Sequence, residues 1–102
     1  MPLDHVQRGI VVRRLEELLQ KRAWPKTICP SEAARALSPD ELGSLNAESW
    51  RETMDDIRKV VWEMRAEEQV EVLQRGEVVI TDELADVRGP IRVRSKKSYD
   101  TE

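Results

Sequence analysis

The stretch "KTICPSEAARAL", Lys26 to Leu37, decides how the rest of the chain is read. It holds the only cysteine, Cys29, immediately ahead of a proline. Taken as chemistry, a thiol at a helix N-terminus is a nucleophile whose thiolate form the helix favours. Taken as structure, Cys29 is an N-cap and Pro30 occupies the first helical position, where no N–H is needed. Glu32 then places its charge in the first turn, where it suits the helix dipole. The structural reading is preferred. A catalytic thiol needs a base and a third group that orients it, and the only histidine, His5, lies at the start of a different predicted helix. "SEAARAL" continues as a short helix with Ala33, Ala34 and Leu37 inward, and its two alanines let a second helix approach closely.

Upstream, Asp4 with Gln7 three residues on has the form of a helix-opening cap. Val6, Ile10, Val11, Leu15, Leu18 and Leu19 then fall close to one face. Pro25 biases Trp24 away from helical geometry, so the first helix ends near Arg22 to Trp24. "KTI", between two prolines, is a brief strand. Downstream, Ser38 and Glu41 repeat the cap pattern for a single turn before Gly43, and "GSLNAES" is a loop. Ser49 with Glu52 has the pattern of a further capping box, with Asn46 as an earlier alternative start, and the third helix runs from there to about Glu68. "VEVLQ" alternates apolar and polar residues, Arg75-Gly76 supplies a turn, and "EVVI" returns. "TDELADVRG" is a loop with room for one helical turn. "PIRVR" alternates again, with Ile91 and Val93 inward.

Helix, short strand, helix, helix, hairpin, strand is the order of a winged helix. The expected class is α+β: a three-helix, helix-turn-helix core with a small antiparallel wing. One domain spans 4–95, and 96–102 form a mobile polar tail.

The blocks "TICPSEAARAL", "WRETMDDIR", "VEVLQRGEVV" and "RGPIRVR" resemble those of a small, mostly bacterial domain family of unknown function. The likeness covers most of residues 6 to 95 and is strongest at Thr27 to Glu32 and Arg88 to Arg94. The resemblance implies a winged-helix-like fold. It implies no activity, ligand or site residue, and a fold by itself does not name a function.

The composition narrows the function classes. The chain has 102 residues, 39% hydrophobic and 36% charged, with a formal net charge of −3 and no Phe. A domain that clamps phosphates is usually basic, so nucleic acid is disfavoured as a partner, though it is kept as an alternative. One cysteine forms no internal disulfide and suits a reducing compartment. No apolar run approaches a membrane span, and the start of the chain lacks signal-peptide character. A cytoplasmic protein without membrane association is expected. One Cys and one His do not make a zinc site, and scattered glycines build no phosphate loop. No cofactor or metal is expected.

Two regions carry candidate binding residues. On the third long helix, Trp50, Met54, Ile57, Val61 and Met64 form the core stripe, with Val60 at its edge. Arg51, Arg58 and Arg65 recur every seven residues along one flank, with Trp62 beside them. A solvated face of weak ion pairs has the same pattern. The outward pole carries Glu52, Asp55, Lys59 and Glu63, and phosphates would repel its three acids. The second region, Arg88, Arg92, Arg94, Lys96 and Lys97, contains no acid. It reads as an electrostatic footprint or as a charged sheet edge that discourages aggregation. The function expected is a non-enzymatic module docking a protein partner or itself, with Trp62 as anchor. The alternative is a DNA-binding regulator using the arginine flank and the wing. A thiol enzyme built on Cys29 is the third reading.

Overall fold

The computed structural model describes residues 3–22 and 24–96. Among these residues the chain is α+β, with four α-helices and one three-stranded antiparallel sheet. The helices are α1 (His5–Arg22), α2 (Pro30–Ala36), α3 (Pro39–Ser44) and α4 (Met54–Ala66); the strands are β1 (Val70–Gln74), β2 (Glu77–Val78) and β3 (Arg92–Ser95). Short 3-10 turns cover Trp50–Thr53 and Leu84–Asp86. The arrangement is compatible with a winged helix.

Capping chemistry sets most helix starts. Gln7 N–H donates to Asp4 Oδ1 at 2.8 Å, and Asp4 N–H donates to Gln7 Oε1 at 3.0 Å, which closes the box that opens α1. At α3, Glu41 N–H donates to Ser38 Oγ at 3.1 Å and Ser38 N–H to Glu41 Oε1 at 2.9 Å. Cys29 caps α2 as expected: Glu32 reaches back to accept its N–H at 2.9 Å.

Three local expectations are corrected. The helix after Ser38 does not stop before Gly43 but runs on to Ser44, so a fourth helix joins the three foreseen. It closes on Asn46, whose φ of 58° lets Ala47 N–H return to the Leu42 carbonyl. The box at Ser49 does not form. Its side chain caps nothing, the first turn is 3-10, and Glu52 instead accepts from Glu48 N–H at 3.1 Å. Finally, α4 ends at Ala66 rather than Glu68. Glu68 turns left-handed (φ 64°), and Gln69 N–H reaches the Met64 carbonyl at 2.9 Å.

The sheet order is β2-β1-β3, with Leu73 opposite Val78 on one side and Arg92 on the other. Arg75 (φ 54°) and Gly76 (φ 82°) form the two-residue hairpin turn, a geometry that needs positive φ at both places. Ile28 joins the far edge of β3: its N–H and carbonyl bond Val93 at 2.7 and 2.8 Å. The expected "KTI" strand is therefore one bridge.

One core lies between the helices and the inner face of the sheet. Leu15, Ile28, Ile57, Val61, Val72 and Val93 are all buried there. Ala33 and Ala34 of α2 are buried where α2 meets α4 and α1. On α1 the buried line is Val11, Leu15 and Leu19, an i, i+4 row. Val6, expected on that face, is 69% exposed: nine residues before Leu15, it stands half a turn away on the opposite side of the helix. The tail expected over 96–102 lies outside the described residues except for Lys96. Lys96 N–H donates to the Gln69 carbonyl at 3.2 Å.

Candidate functional site

The flank of α4 meets the segment that returns from the wing. After β2 the chain runs through 79–90 with little regular structure, so its carbonyls need side-chain or solvent partners. Arg58 donates to the Val87 and Gly89 carbonyls, both at 3.2 Å. Arg65 donates to the Val79 carbonyl at 3.2 Å and lies 3.6 Å from the Asp82 carboxylate. Trp62 Nε1–H donates to the Asp82 carbonyl at 2.9 Å, and the Arg65 guanidinium lies 4.5 Å from the centre of the indole. The planar fork of arginine suits this task, because one guanidinium reaches two carbonyls at once. These side chains strap the wing segment to α4.

Arg51 leaves this group. Its guanidinium sits 4.6 Å from the Trp50 ring centre, and Arg35 of α2 sits 4.9 Å from the same ring. The seven-residue flank therefore divides: Arg51 lies on Trp50, while Arg58 and Arg65 hold the segment after the wing.

The second basic region is also engaged internally. Arg92 donates to Thr27 Oγ1 at 2.9 Å and to the Thr27 carbonyl at 3.3 Å. Arg94 pairs with Glu71 at 2.8 Å and lies over Trp24 at 5.4 Å. Lys96 pairs with Glu68 at 3.2 Å. The Arg88 carbonyl accepts from Gln74 at 2.7 Å, while the exposed Arg88 side chain has no acidic partner among the described residues. Lys97 lies outside the described residues. Arg88 lines a cleft of about 820 Å³ with Arg75 and Arg92, but Glu77 and Asp86 line it too, so its field is mixed.

The outward pole of α4 is tempered by α1. Arg8 Nε–H donates to Glu63 at 2.6 Å, and this bond raises the Arg8 pKa against the opposing effect of burial. Cys29 is half-buried, and its sulfur accepts the Ser31 hydroxyl at 3.1 Å. The Glu32 that caps it also pairs with Arg22 at the end of α1. His5 begins that 18-residue helix, at the end opposite the Arg22 that pairs with Glu32. Among the described residues no group of three or more His, Cys, Asp and Glu is placed to hold a metal ion. None of the described helices is long and apolar enough to cross a membrane.

One feature was not singled out as a site in the sequence. The outer edge of the sheet is β2, where Val78 is 42% exposed, and Ile80, two residues past its end, is 89% exposed. Val79 N–H bonds inward to the Val72 carbonyl at 2.8 Å. With Glu77 opposite Gln74 beside the turn and Val79 bonded inward, the backbone groups of Val78 point away from β1. The available signal was the uncharged run Val78-Val79-Ile80-Thr81, which follows the one charge, Glu77, that the edge strand carries.

The chain belongs to the family described as "Protein of unknown function (DUF3253)", which matches residues 8–96. The motif blocks quoted above fall within that range. No curated protein matches the chain.

Proposed function

We propose that this member of a family of unknown function is a non-enzymatic winged-helix module that binds a protein partner through the free edge of its wing. The supporting observation is the 89% exposure of Ile80 just past β2, close to the half-exposed Val78 at the free edge of the sheet. An uncovered apolar edge invites aggregation, and cover by a partner removes that liability. Trp62, the anchor expected from the sequence, is better read as a support. It and Arg65 hold the segment that follows the edge, and so fix the direction in which Ile80 points. A single unpaired thiol suits a cytoplasmic setting.

The test is a quantitative capture comparison. Immobilised wild type is compared with Ile80→Lys, both checked for fold by circular dichroism. The edge reading expects the wild-type partner to be lost with Ile80→Lys. An unchanged partner profile would count against it.

A second reading is nucleic-acid binding. It is supported by Arg51 and Arg88, which have no carboxylate partner among the described residues. Its mark is a steep fall of duplex-DNA affinity with salt. Tight binding at low salt that is lost in an Arg51→Glu/Arg88→Glu double variant would favour this reading over the first.

A further inference from the structure

We infer that Arg35 and Arg51, both held against the indole of Trp50, form a paired phosphate clamp that takes the backbone of a DNA duplex. This rests on the nucleic-acid reading above and names its contact residues.

The clamp joins two elements. Arg35 stands near the end of α2, and Arg51 lies in the 3-10 turn that opens α4. Trp50 packs against the core and brings them together, with the guanidiniums 4.9 and 4.6 Å from the centre of its ring. That sets them within about 10 Å of each other, a distance over which a DNA strand, rising about 3.4 Å per nucleotide, presents at least two phosphates. A guanidinium stacked by its face keeps its in-plane N–H donors for another partner.

Those donors are unclaimed. Arg8, Arg14 and Arg94 meet carboxylates, and Arg58 and Arg92 meet backbone carbonyls. Arg35 and Arg51 are exposed, and the ring is the only partner either has among the described residues. Neighbouring acids are turned elsewhere. Glu32, three residues before Arg35, pairs with Arg22 and accepts the Cys29 N–H, while Glu52 accepts the Glu48 N–H. Asp55, one turn beyond Arg51, makes no pair with it. Trp50 lies on the core side of the helix beside α2, so stacking draws Arg51 toward α2 and away from the acids of the outward pole. Two cations fixed close together without a counter-charge favour an anion between them. Phosphate suits the pair because the arginine fork meets its oxygens two at a time. The ring already carries both arginines, so it is no stacking platform for a base, and the contact is with the backbone.

A labelled duplex titrated with the full chain by fluorescence anisotropy, at salt from about 50 to about 200 mM, reads the contact. Wild type is expected to bind at the low end and to weaken steeply as salt rises. Arg35→Gln/Arg51→Gln is expected to bind more than about tenfold more weakly at about 50 mM salt, equally for unrelated sequences, with a log–log salt slope shallower by about two. Arg13→Gln/Lys21→Gln removes the same charge from exposed positions on α1 and is expected to leave the slope near that of wild type. Circular dichroism checks that each variant is folded. Binding that survives Arg35→Gln/Arg51→Gln, or that falls equally in the α1 variant, would overturn the clamp and leave the nucleic-acid reading standing. Absence of wild-type binding at about 50 mM salt would remove both. Polyglutamate bound as tightly as the duplex, and lost with the same arginine variant, would overturn the phosphate assignment and make the pair a site for an acidic protein.

Discussion

The indole N–H of Trp62 and the carbonyl of Asp82 meet at 2.9 Å, and that bond ties the middle of α4 to the segment leaving the wing. Trp62→Phe keeps most of the packing and loses the donor. The expected cost is about 1 kcal/mol of stability, read from urea unfolding. Limited proteolysis is expected to cut faster between 79 and 90 while cleavage elsewhere is unchanged.

Cys29 occupies an N-cap but its sulfur is a weak acceptor. Ser has the same shape and is a preferred cap. Cys29→Ser is expected to fold normally and to gain about 0.5 kcal/mol in chemical denaturation. A large loss of stability would show that the thiol contributes more by packing than by its place at the cap.

Glu68 holds a left-handed conformation at the end of α4, with φ 64°. Its carboxylate pairs with Lys96 but is mostly exposed, so that pair contributes little. Glu68→Gly relieves the backbone cost and is expected to stabilise by about 0.5–1 kcal/mol. The greater freedom of glycine in the unfolded chain offsets part of that gain. The thermal midpoint reads the balance.

Glu41 gives the domain an acid-sensitive element. Burial acts to raise its pKa, but the Ser38 N–H and the Arg14 guanidinium together outweigh it, so the carboxyl sits below its ordinary value. At moderately acidic pH the unfolded chain therefore binds more protons at this site than the folded one. The stability Glu41 contributes is fully present above the unfolded-state value and is lost as pH falls through the folded one. Unfolding midpoints measured from neutral to acidic pH are expected to fall less steeply for Glu41→Gln than for wild type. The variant is expected to be the less stable of the two at neutral pH.

Local chemistry was legible in the sequence where a few neighbouring residues decide the outcome. Asp4 with Gln7, Ser38 with Glu41, Pro30 after Cys29, and the Arg75-Gly76 turn each act over four residues or fewer, and each forms. The box at Ser49 shows the limit of such reading. The same pattern was present, but Thr53 is buried and its hydroxyl donates to the Trp50 carbonyl at 2.6 Å, within a tightened 3-10 turn. Tertiary packing of Trp50 beneath Arg35 and Arg51 set that geometry. The candidate site was harder still. A spacing of seven places Arg51, Arg58 and Arg65 on one side of a helix, but periodicity does not reveal which segment folds back over that side. The segment proved to be 79–90, whose unpaired carbonyls draw in Arg58 and Arg65. The open edge at Val78 and Ile80 depends on sheet order. With β1 in the centre and Ile28 bridging the far side of β3, β2 is the edge whose outer side has no bridge among the described residues.

The bridge between Ile28 and Val93 bears on how the domain is made. Thr27 and Arg92, beside it, are 65 positions apart and are also bonded to each other. During synthesis α1, α2 and α4 all leave the ribosome before the strand that joins them. Local helices form quickly, whereas contacts distant along the chain must first overcome the entropy of loop closure. Until Val93 emerges, Ile28 has no ladder partner and β1 has one bare edge. Closure of the sheet therefore waits on β3, whose residues act as the latch between the start and the end of the domain.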